Sequence, residues 1–510
     1  MDERRDAEPA VRSSGRGPAP GGAERHRLEH DAAPADPRSS LRRMLIPLAL
    51  AQFICSYAGS NMNVAINDIS EDLSTSVHGV QIAITLFLLC MAALMIPGSK
   101  LTDLWGRKRC FVLGLVVYGA GAFISAVAPS LGVLVVGYSA FEGAGSALLI
   151  PPVYILTTVL VEDVRTRAKA FGIISAMGGV GAAAGPLIGG FITTAISWRA
   201  SFLLQALVVG SIVLLARRIV DPIAADRSRH FDTIGAVLSA AGMFFLVVGI
   251  LQAGDSTSLM VAGLLAGLAF LGWFVLHVRS VERRGREPLL STRLFGVASA
   301  NVALVTQHIQ WLLLMGIAFV VSAFLQVVRG YSAIETGVVF TAATAGILAS
   351  SLAAERFAKR RRQRFLIRAG FVTTVVGILS LLALVTAWSG ALPFVPGLLL
   401  IGLGLGVMLT PSVNVVQSSF PDELQGEISG LSRSVSNLGS SVGTAIAGTI
   451  LVADLAHGNR SYALALLTLA GIGVLGLLAT FVLPSDARRG ADARAAIADA
   501  PGGTLGGTAG

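Results

Sequence analysis

What most constrains this chain is the recurrence of apolar runs about 20 residues long, the length a helix needs to cross a ~30 Å hydrocarbon core. They fall at 44–67, 79–98, 110–128, 131–155, 168–196, 200–220, 232–253, 257–279, 298–328, 333–353, 365–388, 391–415, 427–452 and 460–483. Fourteen runs predict an all-α membrane protein with fourteen transmembrane helices, and an even number puts both termini on one side. Composition agrees, because 54% hydrophobic and 14% charged residues leave too little polar surface for a soluble protein of 510 residues. Cys55, Cys90 and Cys110 lie in or at the ends of apolar runs and read as small buried hydrophobes, not as disulfides or metal ligands.

Charge sets the expected orientation. Of the 39 Lys and Arg residues, only Arg199, Arg329 and Arg460 fall in the loops of one side, leaving 36 in the tails and on the other side. The positive-inside rule then puts the tails and the loops at 99–109, 217–232, 279–293 and 354–364 in the cytoplasm, for a multi-pass protein of the plasma membrane. The net charge of +9 follows from that topology and from attraction to anionic lipid headgroups. Residues 1–42, rich in Arg, Pro, Gly and Ala, and residues 485–510 are expected to be disordered tails. The run KRRRQR (359–364) lies between two spans without an aromatic platform, so nucleic acid is not an expected partner. The sequence holds no nucleotide-binding loop, metal-ligand cluster or nucleophile triad, so neither enzyme chemistry nor a cofactor or metal is expected.

Two motifs carry more. In GSKLTDLWGRKR (98–109), Gly98 and Gly106 supply backbone freedom for a short turn, and Asp103 answers a helix N-terminus or a basic residue. Arg107, Lys108 and Arg109 hold headgroups or carboxylates. The stretch resembles the gate-loop signature of the major facilitator superfamily. In FGIISAMGGVGAAAGPLIGGF (171–191), Gly172, Gly181, Gly185, Pro186, Gly189 and Gly190 let helix backbones approach closely and permit a bend. That spacing is similar to the superfamily's antiporter signature on helix five. QVVRGYSAIETG (326–337) and GLGLGVMLTPSVNVVQSSFPDELQGEISG (402–430) resemble parts of its fourteen-helix drug:proton antiporter branch.

The resemblance spans about 44–484 and implies the major facilitator fold. Six-helix bundles at 43–220 and 291–484 would flank two inserted helices and a linker at 221–290, with AAERFAKRRRQR (353–364) as a degenerate second gate loop. It also implies a monomer that exports a lipophilic or amphipathic small molecule, a drug or natural product, against protons by alternating access. A uniporter or lipid-type transporter without proton coupling, and a non-transporting scaffold or sensor, stay open.

Departures from the branch direct attention to single residues. Where it has an acidic residue early in helix one, this chain has Ala58; where it has Arg and Gln in helix four, this chain has Ser139 and Glu142. Glu142 lies eleven residues from Leu131, about 16 Å along a helix and near the bilayer midplane, where ionisable residues mark proton or substrate paths. It is the first candidate proton carrier; the alternative is a structural, permanently protonated glutamate. His308 is the second candidate, set against a neutral packing histidine. Ser139, with Gly145 and Ser146, is expected to form a polar wall. Asn61, Asn63, Gln307, Gln310 and Asn414 would line the substrate cavity with hydrogen-bonding groups, and Phe53 and Trp311 would add aromatic surface, each against the alternative of interhelical glue. Arg433 is expected to snorkel to the cytoplasmic face.

Overall fold

The computed structural model describes residues 37–483, apart from 162, 218, 220, 222–229, 255, 359–362, 388–389, 421–423 and 454–458. Residues 1–36 of the tail expected at 1–42, all of the tail expected at 485–510, and most of KRRRQR lie outside the described residues. Within them there is no strand, and fourteen long helices follow one another. They are α1 (Pro37–Asn61), α2 (Val77–Trp105), α3 (Arg107–Ala126), α4 (Leu131–Leu134, Val135–Glu142 and Gly143–Leu160), α5 (Val164–Ala195), α6 (Trp198–Ala216) and α7 (Thr233–Leu251). Then come α8 (Thr257–Arg283), α9 (Ala298–Ala323, continued by Phe324–Val328), α10 (Ala333–Ala358), α11 (Gln363–Ala387), α12 (Phe394–Gln417), α13 (Gln425–Ala453) and α14 (Asn459–Ala479).

Twelve of these are long and apolar enough to cross a membrane. Two fall short of that measure: α1, which carries Gln52, Ser56, Ser60 and Asn61, and α13, which carries Arg433 and many serines. Polar caps start several helices, with Ser76, Asp163, Ser197, Asp232 and Ser256 accepting first-turn N–H groups. Two expected boundaries move. Helix α1 opens at Pro37, inside the segment expected as a tail, and α2 runs on to Trp105, so the loop expected at 99–109 is helical except at Gly106.

The first six helices pack together through α1 on α5, α3 on α4 and α6, and α2 on α4; the last six pack through α11 and α10 on α12, and α13 and α14 on α9. Two antiparallel seams join these groups, α2 with α13 and α5 with α10. Each seam pairs the second helix of one group with the fifth of the other, the relation an internally repeated transporter produces. Helix α7 lies on α2 and α13, while α8 packs on α7 and buries only 11% of its apolar stretch.

We term the end holding Lys100, Arg107 and Lys108 the basic face, and the opposite end the far face. The α2–α13 seam is bonded along its whole length. Gln81 Nε2 donates to the Ala445 carbonyl (3.2 Å) and Ser441 Oγ to that of Thr85 (2.9 Å). Nearer the basic face, Ser434 Oγ donates to Ala92 (2.6 Å) and Ser99 Oγ to Gly426 (3.3 Å). The α5–α10 seam closes at the far face, where the Ile334 N–H donates to Thr194 Oγ1 (3.1 Å) and Gly190 and Gly337 each abut the other helix's backbone. Nearer the basic face, Gly172 of α5 has nothing within 4 Å of where a Cβ would stand. The close contacts described for this seam, at Thr194, Gly190, Pro186, Ile334 and Gly337, all lie toward the far face.

Candidate functional site

Glu142 sits at a helix irregularity that the glycines explain. On antiparallel α3 and α4, Gly121 lies backbone to backbone with Gly137, and Gly114 with Gly145. The first pair is seven residues apart on α3 from the second, but eight apart on α4. One extra residue between matched contacts is what a π turn absorbs, and Val135–Glu142 is a π segment ending at Glu142.

The Glu142 side chain is 0% exposed, and neither carboxylate oxygen has a hydrogen-bond partner. Tyr118 and Ser125 flank it, but the Tyr118 hydroxyl donates to Gln205 Oε1 (2.6 Å) and that of Ser125 to the Gly121 carbonyl (2.9 Å). Around this group Cys55 Sγ donates to Ser146 Oγ (3.5 Å), the Tyr57 and Ser201 hydroxyls pair at 2.6 Å, and Tyr138 donates to the Ala58 carbonyl (3.2 Å). A lone carboxyl thus lies among α1, α3, α4 and α6, inside the first group of helices rather than in the gap between groups. Ser139 faces α2, where it donates to the Ala83 carbonyl (2.7 Å). The expected polar wall of Ser139, Gly145 and Ser146 is therefore taken up by packing within the first group.

The other expected cavity residues are not gathered in one place. Gln307 Nε2 donates to Ser432 Oγ (2.9 Å) and Ser436 Oγ (2.8 Å), and His308 Nδ1 donates to the Val435 carbonyl (3.1 Å), so both bolt α9 to α13. Gln310 Nε2 donates to the Leu405 carbonyl of α12 (3.4 Å). Trp311 is half-buried and Asn414 exposed. Asn61 and Asn63 lie at the far face, where α1 breaks into a 3₁₀ turn at Met62–Ala65. That break frees the Asn63 carbonyl, and Ser322 Oγ and Gln326 Nε2 (2.8 Å) of α9 donate to it while Gln326 Oε1 accepts from the Asn67 N–H (3.1 Å). Backbone freed inside a membrane protein needs such partners. Gln326, not singled out from the sequence, thus seals the far face.

The helix-five glycines divide by face. A Cβ at Gly181, Gly185 or Gly189 would run into Phe53, Ser60 or Asn61 of α1, while Gly190 and Pro186 abut α10. Gly172 touches nothing and is not part of the contact.

At the basic face, Gly98 is not a turn glycine: it lies within α2, pressed against the Ala147 carbonyl of α4. The turn belongs to Gly106 alone, at φ +92°. Arg107 pairs with Asp103 (3.7 Å) and Asp221 (3.9 Å), and Lys108 Nζ donates to the Arg217 carbonyl (3.1 Å). The start of α3 is answered by Asp221, whose Oδ2 accepts the Arg107 N–H (2.8 Å), and not by Asp103. At the basic end of the α2–α13 seam, Lys100 of α2 meets Glu427 of α13 at 2.7 Å.

Arg433 does not snorkel as expected. It reaches across to Tyr154 of α4, donating to its hydroxyl with the guanidinium carbon 4.9 Å from the ring centre. Tyr154 in turn donates to Gln52 Oε1 of α1 (3.2 Å). Position in the helix gave the depth of Arg433, but only the neighbouring group of helices supplies its partner.

A family model described as Major Facilitator Superfamily matches residues 48–444. The puromycin resistance protein pur8 of Streptomyces alboniger is 29% identical over 415 residues, covering 80% of this chain and 81% of that protein. The cephamycin export protein CmcT of Amycolatopsis lactamdurans is 30% identical over 425 residues, covering 81% and 85%. Among solved structures, a mutant peptide transporter POT in complex with alafosfalin superposes with a TM-score of 0.62 at 16% identity, over 85% of this chain and 93% of that one, a likeness of fold alone. The paired seams, the break and seal at the far face and a family match over most of the helices lead to one conclusion: the chain belongs to the Major Facilitator Superfamily and is a transporter, not an enzyme.

Proposed function

We propose that the chain exports lipophilic or amphipathic small molecules, drugs or natural products, in exchange for protons by alternating access. Family membership supports the cycle, and relatives named for puromycin resistance and cephamycin export support the direction and substrate class. The observation that carries proton coupling is Glu142, wholly buried with neither oxygen bonded. A carboxyl's proton affinity depends on its access to water and partners, so a conformational change that wets Glu142 would load or unload a proton. His308 is the second candidate.

In this reading all fourteen helices span the plasma membrane, and the protein is a monomer with helical domains at 43–220 and 291–484 around the insertion at 221–290. The basic face and both termini are cytoplasmic by the positive-inside rule, and the contacts of the α5–α10 seam and the Asn63 seal at the far face support a state closed on the outer side. Gly98 and Asp103 of α2, the turn residue Gly106, and Arg107 and Lys108 of α3 brace the gate. A second reading, facilitated transport without protons, draws on Ala58 and on the seclusion of Glu142 from the gap. The test uses the purified protein in proteoliposomes with puromycin as probe. Accumulation against its gradient on imposing a pH gradient, abolished by a protonophore, is expected. Downhill flux alone would favour the second reading, and no flux of puromycin or of a wider drug panel would sink both.

A further inference from the structure

We propose that Arg433 binds an acidic group on the transported molecule, so that the substrate class is an apolar body bearing a carboxylate or a similar anion. This rests on the export reading above. Arg433 lies eight residues into α13, about 12 Å from its start, level with the Ser434 contact to Ala92 in the middle of α2. A permanent positive charge at such depth calls for an anion or a dense set of acceptors. Among the described residues Arg433 has one acceptor, the Tyr154 hydroxyl, and the face of that ring. A guanidinium has five N–H donors in a planar fork that fits a carboxylate.

No acid among the described residues fills that fork. Glu427, six residues earlier on α13, is occupied by Lys100 and by the Ser291 N–H (3.1 Å). Glu142 stands twelve residues from Tyr154 along α4, roughly 18 Å away, and faces the interior of the first group. By contrast Arg107 and Arg199 each have a carboxylate, and Arg329 and Arg368, which donate to carbonyls, lie near helix ends. Arg433 keeps part of its surface exposed although α13 is packed between α2, α9 and α14, and its side chain crosses to α4, so it lies between the two groups of helices. Buried Gln52 and the Tyr154 ring complete a polar corner with an aromatic wall.

The test compares three probes of one shape and different charge: radiolabelled 1-naphthoate, 1-naphthamide and 1-naphthylmethylammonium. Each is bound to the purified full-length protein in nanodiscs, with uptake by empty nanodiscs subtracted. We expect naphthoate to bind about tenfold or more tighter than the amide, the scale of a charge-assisted bond, and the cation to bind weakest. Arg433→Gln should bring naphthoate to the level of the amide, and Arg433→Lys, which also serves if the glutamine variant does not fold, should keep the order of the probes with a reduced gap. No naphthoate binding by the parent, equal weakening of all three probes by Arg433→Gln, or an unchanged naphthoate affinity would overturn the proposal; equal weakening would mark Arg433 as a latch between the groups. No proton gradient is used, so charge-selective binding retained without gradient-driven flux of naphthoate into proteoliposomes, measured against protein-free liposomes, would count against the export reading alone.

Discussion

The Lys100 ammonium on α2 and the Glu427 carboxylate on α13 stand 2.7 Å apart, and the second oxygen of Glu427 accepts the Ser291 N–H of the α8–α9 connection. One carboxylate thus ties three elements together at the basic face. The side chains are 19% and 22% exposed, so the pair is worth about 1 kcal/mol, or about a fivefold shift between conformations. Lys100→Met and Glu427→Gln should each widen spin-label distances between the basic ends of α2 and α13, with the glutamine variant stronger because the Ser291 bond weakens too. Unchanged distances in both would mean that the pair does not hold the gate.

Glu142→Gln keeps the size of the side chain but cannot titrate. Uphill accumulation driven by a pH gradient should fall to background while downhill exchange persists, and thermal stability should change by less than ~1 kcal/mol for an isosteric change. A variant that still concentrates substrate on a proton gradient alone would transfer the coupling role to His308.

The helix-five glycines separate into positions that need glycine and one that does not. Gly181→Ala would push a methyl group into the Phe53 backbone and should cost about 1–3 kcal/mol. Gly172→Ala meets nothing within 4 Å and should be neutral or stabilising by up to ~1 kcal/mol, since alanine favours helix. Thermal unfolding of the two purified variants checks the contrast; equal losses would refute the α1–α5 contact.

Orientation can be read chemically. In a background where Cys55, Cys90 and Cys110 are replaced, Arg286→Cys in the α8–α9 connection should resist an impermeant thiol reagent in intact cells. Ala253→Cys in the α7–α8 turn should react. Both residues are exposed, so the reverse pattern would turn the protein over in the membrane.

Taken alone, the sequence determined the class of fold, because hydrocarbon leaves a chain of long apolar runs little choice but helix, and length and composition are local properties. It also located most of the helices, the basic face and the glycines where backbones meet. What it could not give was the neighbour on each helix face. A helical period shows that residues share a face, but a single π turn rotates everything beyond it. The π turn that carries Glu142 reflects the seven-to-eight mismatch between the glycines of α3 and α4, visible only once those helices are known to pack together. Likewise Asp221 answering the start of α3, Gln326 sealing the break after α1 and Arg433 reaching Tyr154 join residues 114, 263 and 279 positions apart. Those pairings arise only when the helices assemble, because each polar group buried then takes whichever partner the packing brings within reach.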